Sequence, residues 1–436
     1  MKLKPVVASL VMLGLMAPAF AKSSMASQQA VIDQNAVTSP VCSEGWFNRI
    51  TVGGLGSVVG LFGNHDPAGM YTDIGSSTDL YVNNVNLLVN ANLSCWSKAT
   101  VNLAYFGSPD YFTRMEDSGA GGASSNKSGK LGALRHINHD VAIDEAYVTI
   151  GNLAKYPFYA KVGKGYIPFG VYSNPYTPYQ IMSPAQILAQ TNAVSAVAGV
   201  TTDFGFYGSA SAFRDSSVYP RGSSVGNIRN FSAQVGYYDH LDAFNVPNGH
   251  VNFALSYIKN LWGSQFFSPD RPGRHTWFEN TSTATNGASQ IDPAAGLNLH
   301  ADFAYKAFSM FADYTGALQS MAPATATSSK FWGANVNADY AFKTLDRDSH
   351  FGLGMQWSGN GKWFGVSAVT ATVTDPSTVD FMRIIPKWRF VGEYGVNIFK
   401  NTDLNFVFAH GKSYDFVTAP VSRNSTLGLA RLNFQF

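Results

Sequence analysis

Residues 427–436 read Leu427-Gly428-Leu429-Ala430-Arg431-Leu432-Asn433-Phe434-Gln435-Phe436. In an extended strand, successive side chains point to opposite faces. Gly428, Ala430, Leu432, Phe434 and Phe436 then share one face, and Arg431, Asn433 and Gln435 share the other. One face is oily and the other wet. A soluble sandwich strand can show this alternation, but here it recurs along the chain behind a leader-like start. The combination predicts an all-β fold: a transmembrane antiparallel β-barrel, oily outside and wet inside, closed by this last strand.

The chain starts Met1-Lys2-Leu3-Lys4, runs through apolar residues from Pro5 to Ala17, and reaches Ala19-Phe20-Ala21. A positive start, a short apolar middle and an A-x-A site predict a signal peptide cleaved after Ala21. The apolar run is shorter than the ~20 residues a membrane-spanning helix needs. No later stretch is a continuous apolar run of that length, so entry into a membrane would be as a barrel.

Removing 21 residues from 436 leaves 415. A soluble chain of that length usually divides into domains, yet no linker or composition break divides this one. The expected organisation is a leader over 1–21, a periplasmic lead-in over 22–46 and a barrel over 47–436. Charged residues make up 13% of the chain, about half the usual share. Aromatics make up 14%, which suits a lipid-facing wall with aromatic girdles. A net charge of +2 is too small to argue for nucleic acid.

Strand candidates follow in order. The clearest are Thr78 to Leu93, Leu297 to Tyr305, Phe331 to Phe342 and the closing strand. In the second of these, Leu297, Leu299, Ala301, Phe303 and Tyr305 are expected outward, with Asn298, His300 and Asp302 inward. Asn360-Gly361 reads as a two-residue hairpin turn between Phe351 to Trp357 and Trp363 to Val373. The candidates number about seventeen, and a bacterial single-chain barrel takes an even number, so about 16 strands are expected, with 18 as the alternative. Long connections are expected outside the cell and short turns in the periplasm. Tyr166 to Thr191 is too long and too rich in proline for a plain turn, and is expected to fold into the barrel mouth or lumen.

Such a barrel leaves an aqueous lumen. Lys161, Lys164, Arg229 and Arg431 are candidates for its lining, with Asp144, His300, Asp302 and Asp339. Rings of such charges set the selectivity of a pore. Cys42 precedes the first strand and Cys95 lies in the turn after the second, so both fall at the periplasmic end. A disulfide or two free thiols are both compatible with that placement.

His136, His139 and Asp140, upstream of Asp144 and Glu145, do not have spacing that forces convergence on a metal. Asp110, His275 and His410 are rim candidates for hydrolytic chemistry, but their order identifies no nucleophile–base pair. No metal, cofactor or catalytic site is expected, and the chain reads as a non-enzyme. Asp66-Pro67-Ala68-Gly69 weakly resembles the Asn-Pro-Ala-Gly motif of long-chain fatty-acid transporters, although Asp-Pro opens a turn by itself.

The closing aromatic strand ending at Phe436 resembles the signal that Gram-negative outer-membrane proteins present to their barrel assembly machinery, with Arg431 where that signal often has glycine. A second resemblance lies in Asp144-Glu145-Ala146-Tyr147-Val148-Thr149-Ile150-Gly151-Asn152, then Pro157-Phe158-Tyr159, then Gly163-Lys164-Gly165-Tyr166-Ile167-Pro168-Phe169-Gly170. Together with Ser76-Ser77-Thr78-Asp79-Leu80 and Tyr207-Gly208-Ser209-Ala210, this is similar to the siderophore porin family typified by the legiobactin receptor of Legionella. The resemblance covers roughly residues 50 to 215 and carries over no ligand-binding residue. Lys22 to Pro40 has no heptads where family members often carry a coiled-coil-like segment. The resemblance implies an outer-membrane barrel that admits a ferric siderophore. The chain has no room for a plug as well as a large barrel, so direct energy coupling through a plug is not expected.

The functional expectation is a porin in outer-membrane lipid, passing a small anionic solute such as a ferric carboxylate-type siderophore, since lumen Arg and Lys attract anions at long range. The alternatives are a general diffusion porin, or an adhesin or structural barrel acting through the aromatic loop Leu261 to Gly296.

Overall fold

A computed structural model describes residues 50–63, 77–106, 141–170 except 154, 183–214 except 203, 228–241, 249–261 with 264, 294–320, 330–359, 386–412 and 424–436. Sixteen strands form one closed antiparallel barrel, each paired with its neighbours in sequence. In chain order they are β1 (Ile50–Gly63), β2 (Ser77–Ser94), β3 (Ser97–Phe106), β4 (Val141–Gly151), β5 (Phe158–Tyr166), β6 (Asn192–Thr201), β7 (Phe206–Arg214) and β8 (Ile228–His240). There follow β9 (His250–Ile258), β10 (Gly296–Tyr305), β11 (Phe308–Ala317), β12 (Trp332–Thr344), β13 (Arg347–Gly359), β14 (Trp388–Phe399), β15 (Thr402–Lys412) and β16 (Asn424–Gln435). A six-residue helix, α1 (Pro184–Ala189), lies between β5 and β6.

The strands form because their alternation suits two solvents. Along β10, Asn298, His300 and Asp302 are buried while Leu299 is half-exposed on the outer wall. The same parity sends Val235, Phe253, Phe351 and Phe406 outward. The outward row is apolar and the inward row polar, the pattern that suits a barrel wall between lipid and water.

The last strand closes the barrel as its pattern predicts. β16 pairs with β1 from Leu55↔Gln435 to Gly63↔Leu427. Gly54 N–H donates to Phe436 O (2.9 Å), and Phe436 N–H donates to Gly54 O (3.1 Å). The Phe436 ring lies across Gly54, where a Cβ would come within 2.2 Å of Cζ.

The expected Asn360-Gly361 turn and the strand Trp363 to Val373 lie outside the described residues; β13 itself pairs with β12 and β14. The two-residue turn on β13 is Leu345-Asp346, with φ of +51° and +61°. Neither residue favours the left-handed region as glycine does; pairing along thirteen positions of β12 and β13 imposes it.

The chain after β5 enters the barrel. Ser183 caps α1, and the Gln186 side chain accepts in return from Ser183 N–H, a capping box. Thr315 Oγ1 on β11 donates to Ala185 O (2.9 Å), and Ser256 Oγ on β9 accepts from Gly170 N–H (2.9 Å). On β12, a Cβ at Gly333 would lie 2.6 Å from Pro184. Gly170 has φ +73°, and its missing Cβ leaves room for Ala189. Ile167, Phe169, Ile187 and Leu188 pack with Phe213, Ile258 and Phe331. These apolar residues leave water together on the inside of the wall, which holds the segment there. The expectation that Tyr166 to Thr191 turns inward holds for its described parts, residues 166–170 and 183–191.

Candidate functional site: a charged lumen narrowed by an inward segment

The inward faces of β7 to β11 build one polar cluster around Asp302. Its Oδ1 lies 2.7 Å from His250 Nε2. Its Oδ2 lies 2.9 Å from His300 Nε2 and accepts from Asn252 Nδ2 at 2.7 Å. Asn252 Oδ1 in turn accepts from the Tyr207 hydroxyl (3.0 Å). Two inward positions from Asp302 along β10, Asn298 Nδ2 donates to Asp313 Oδ1 (2.6 Å) and Thr315 Oγ1 (2.9 Å). All these groups sit inward because they occupy alternate positions on adjacent strands.

A second cluster occupies β13 to β16. Arg431 Nη2 and His350 Nε2 each lie 3.5 Å from Glu393 Oε1. With its amide oxygen turned to the guanidinium, Asn405 accepts from Arg431 Nη2 at 3.1 Å. Gly395 leaves the space these groups need: a Cβ there would be 2.1 Å from the His350 ring. Nearer the outer rim, Arg389 Nε donates to Gln356 Oε1 (2.9 Å). Above Arg431 the same inner wall turns apolar, with Val59, Leu61, Val407, Ala409, Leu427 and Leu429 in one buried cluster.

The candidate residues divide. His300, Asp302 and Arg431 face inward as expected and join these clusters. Asp339 shares the inward parity of Asn335 and lies over Gly352. Lys161 is inward and only 4% exposed; its Nζ donates to Tyr166 O (3.3 Å) and lies 4.9 Å from the Tyr147 ring centre. Asp144 reaches the lumen side from a β-bulge. One placement is corrected. Lys164 is three residues from Lys161, so a regular strand puts the two on opposite faces; it is exposed, beside outward Val162 and Val194, and donates to Ile143 O (2.5 Å). Arg229 is the extra residue where β7 and β8 shift register between Phe213↔Asn230 and Arg214↔Ile228, half-buried beside inward Asn230.

Sequence reasoning missed Arg389, Glu393, His250 and Asp313. Arg389 and Glu393 share parity four residues apart, and that spacing was the available signal. His250 lies 52 residues from Asp302, and only the β9–β10 pairing brings them together.

Cys95 is disulfide-bonded, and Cys42, the only other cysteine of the chain, lies outside the described residues. Asp66 to Gly69, Asp110, His136, His139, Asp140 and His275 also lie outside them. His410 contacts Thr426 Oγ1 (2.8 Å) and the Trp388 ring. Among the described residues no group of three or more His, Cys, Asp or Glu converges as metal ligands. An apolar groove lined by Phe206, Val235, Phe253, Leu299 and Val336 is on the outer apolar wall of the barrel.

A closed sixteen-stranded antiparallel wall with a polar, charged interior has the architecture of a porin-type β-barrel. No family model matches the chain. It is 24% identical over 370 residues to a UPF0422 protein of Legionella pneumophila, covering 82% of this chain and 59% of that protein. It is 25% identical over 291 residues to a UPF0422 protein of Coxiella burnetii, covering 63% and 52%. The chain thus spans somewhat over half the length of these relatives. Among solved structures it is similar to Pseudomonas putida OprB, with TM-score 0.54, 10% identity and 89% and 94% of the two chains covered. The outer membrane channel DcaP of Acinetobacter baumannii gives TM-score 0.51 at 13% identity, over 92% and 99%. An anion-selective porin from Comamonas acidovorans gives 0.50 at 12%, over 89% and 99%. At these identities the likeness concerns the fold.

Proposed function

We propose that this barrel is an outer-membrane porin that admits a small anionic solute through a lumen narrowed by the segment between β5 and β6, and that the solute is a ferric carboxylate-type siderophore. The observation that carries the porin reading is the inward segment itself. Thr315 ties its helix to the wall and Ser256 ties Gly170, so the segment reduces the cross-section of a lumen that sixteen strands would otherwise leave wide. The anion preference is supported by inward Lys161, Arg389 and Arg431. The siderophore is supported by the resemblance carried by residues 144–152 and 163–170, and iron uptake follows from that cargo. The assembly machinery would engage the strand ending at Phe436, and lipid would cover the outer wall.

A general diffusion porin is the second reading, and a specific observation favours it. Arg431 is set against Glu393, and Asp302 is shared by two histidines, so described charges are matched within each cluster. Planar-bilayer conductance of the refolded full chain, titrated with a ferric carboxylate siderophore, separates the readings. Saturable block of open, anion-preferring channels is the expected result. Channels indifferent to the siderophore would leave the general porin, and an absence of channels would remove both.

A further inference from the structure

The neck of the inward segment is built unusually. β4 and β5 pair only from Ala146↔Lys164 toward the periplasm. Beyond that point β4 carries a bulge: its register with β3 jumps from Asn102↔Glu145 to Leu103↔Ile143, leaving Asp144 as the extra residue. A bulge re-aims a side chain and ends regular pairing. Here it turns Asp144 inward, over β5, as far as β6. Asp144 Oδ1 accepts from Asn192 Nδ2 (3.1 Å), and Asp144 O accepts from the same amide (2.8 Å). The Tyr166 hydroxyl lies 3.5 Å from both carboxylate oxygens and accepts from Gln190 Nε2 (3.4 Å). Tyr166 is the last residue of β5, and Asn192 the first of β6. The β5–β6 ladder already pairs the two ends at Tyr166↔Asn192, with Ile167 N–H donating to Thr191 O (3.1 Å); one carboxylate of β4 touches both of them, past the point where the β4–β5 ladder has stopped.

We propose that Asp144 is a positioning residue, a clasp that ties the paired neck of the lumen-narrowing segment to β4 and fixes how far it projects. The bulge supplies reach, and the carboxylate supplies charge-assisted acceptance from both ends, stronger than a neutral bond. This gives a physical role to the first residue of the 144–152 motif. The conductance consequence rests on the porin reading; the positioning itself does not.

The test uses the refolded full chain with Asp144→Ala, Asp144→Asn and Tyr166→Phe, read by hydrogen exchange and by single-channel recording. The Ile187 and Gln190 amides, bonded to Ser183 O and Gln186 O, report on α1. In Asp144→Ala they exchange roughly tenfold faster, with strand amides unchanged, as expected for loss of hydrogen bonds to a charged acceptor. Asp144→Asn, which still offers an amide oxygen to Asn192, restores part of the protection. Tyr166→Phe removes one hydroxyl and gives a smaller increase, which keeps the test decisive if the alanine variant does not fold. Conductance of Asp144→Ala rises, with greater open-channel noise. Unchanged exchange at Ile187 and Gln190 in both Asp144→Ala and Tyr166→Phe overturns the proposal. So does an equal increase in Asp403→Ala, a control at the periplasmic end of β15. Faster exchange in a protein that forms no channels supports the clasp and removes the porin reading.

Discussion

Two stretches of the inner wall obey one alternation and end up different. On β9 to β12 the inward positions are mainly polar through their middle, Ala254 and Phe311 apart, and they bond to one another and to the inward segment: Asp302 to His250, His300 and Asn252, Thr315 to Ala185. On β14 to β16 and β1 the inward positions change partway: Asp403, Asn405, Arg431 and Asn433 below, Val407, Ala409, Leu427 and Leu429 above. Facing inward is therefore not the same as being wet. Period two decides which side of the sheet a residue takes, and packing decides what that side becomes.

The contrast is broken most severely at Asp302. Replacing it by alanine leaves His250, Asn252 and His300 without their shared acceptor, on the order of 3 kcal/mol of lost stability. The midpoint of urea unfolding, followed by the heat-dependent mobility of the folded barrel on gels, reads this. An unchanged midpoint would mean the polar wall is not held by the cluster. Gly333→Val acts on the same wall from the other side of the contact. It overpacks against Pro184 at a cost of about 1–3 kcal/mol, relieved by displacement of α1, so raised conductance should accompany the lower midpoint. Wild-type conductance in this variant would show that α1 does not narrow the path.

The opposite wall is sharpened by two opposed changes. Arg431→Gln should shift ion preference toward cations, and Glu393→Gln toward anions, each by roughly twofold in permeability ratio, because each frees the partner's field in the lumen. Reversal potentials in a salt gradient measure both, and shifts of the same sign would show that the pair does not face the conducting path. The smallest effect lies at the turn between the two walls. Leu345→Asn relieves a left-handed backbone position and should stabilise by about 1 kcal/mol. A lower unfolding midpoint would mean that Leu345 contributes contacts worth more than the strain.

Legibility followed the range of the interactions. β10 was readable because Asn298, His300 and Asp302 alternate with Leu299, Ala301 and Phe303 without interruption. On β14 the inward row Arg389, Val391, Glu393, Gly395 and Asn397 mixes charged, apolar and absent side chains, so the charges did not stand out. Lys164 was misplaced because it violates parity with Lys161, which the spacing already contains. The bulge at Arg229, between β7 and β8, leaves no mark in the residues themselves. The turn at Leu345-Asp346 carries no local signal of the Asn-Gly kind; thirteen cross-strand pairs between β12 and β13 impose it.

By itself the sequence determined the class of structure, the strand that closes it, and the face that most side chains take. These follow from a two-residue period and the difference between lipid and water, both local to each strand. The tertiary structure alone decided that His250 meets Asp302, that Arg431 meets Glu393, and that Asp144 reaches past β5 to Asn192. Those contacts join residues 52, 38 and 48 positions apart. Their distances are set by register, bulges and barrel closure, which are properties of the assembled sheet.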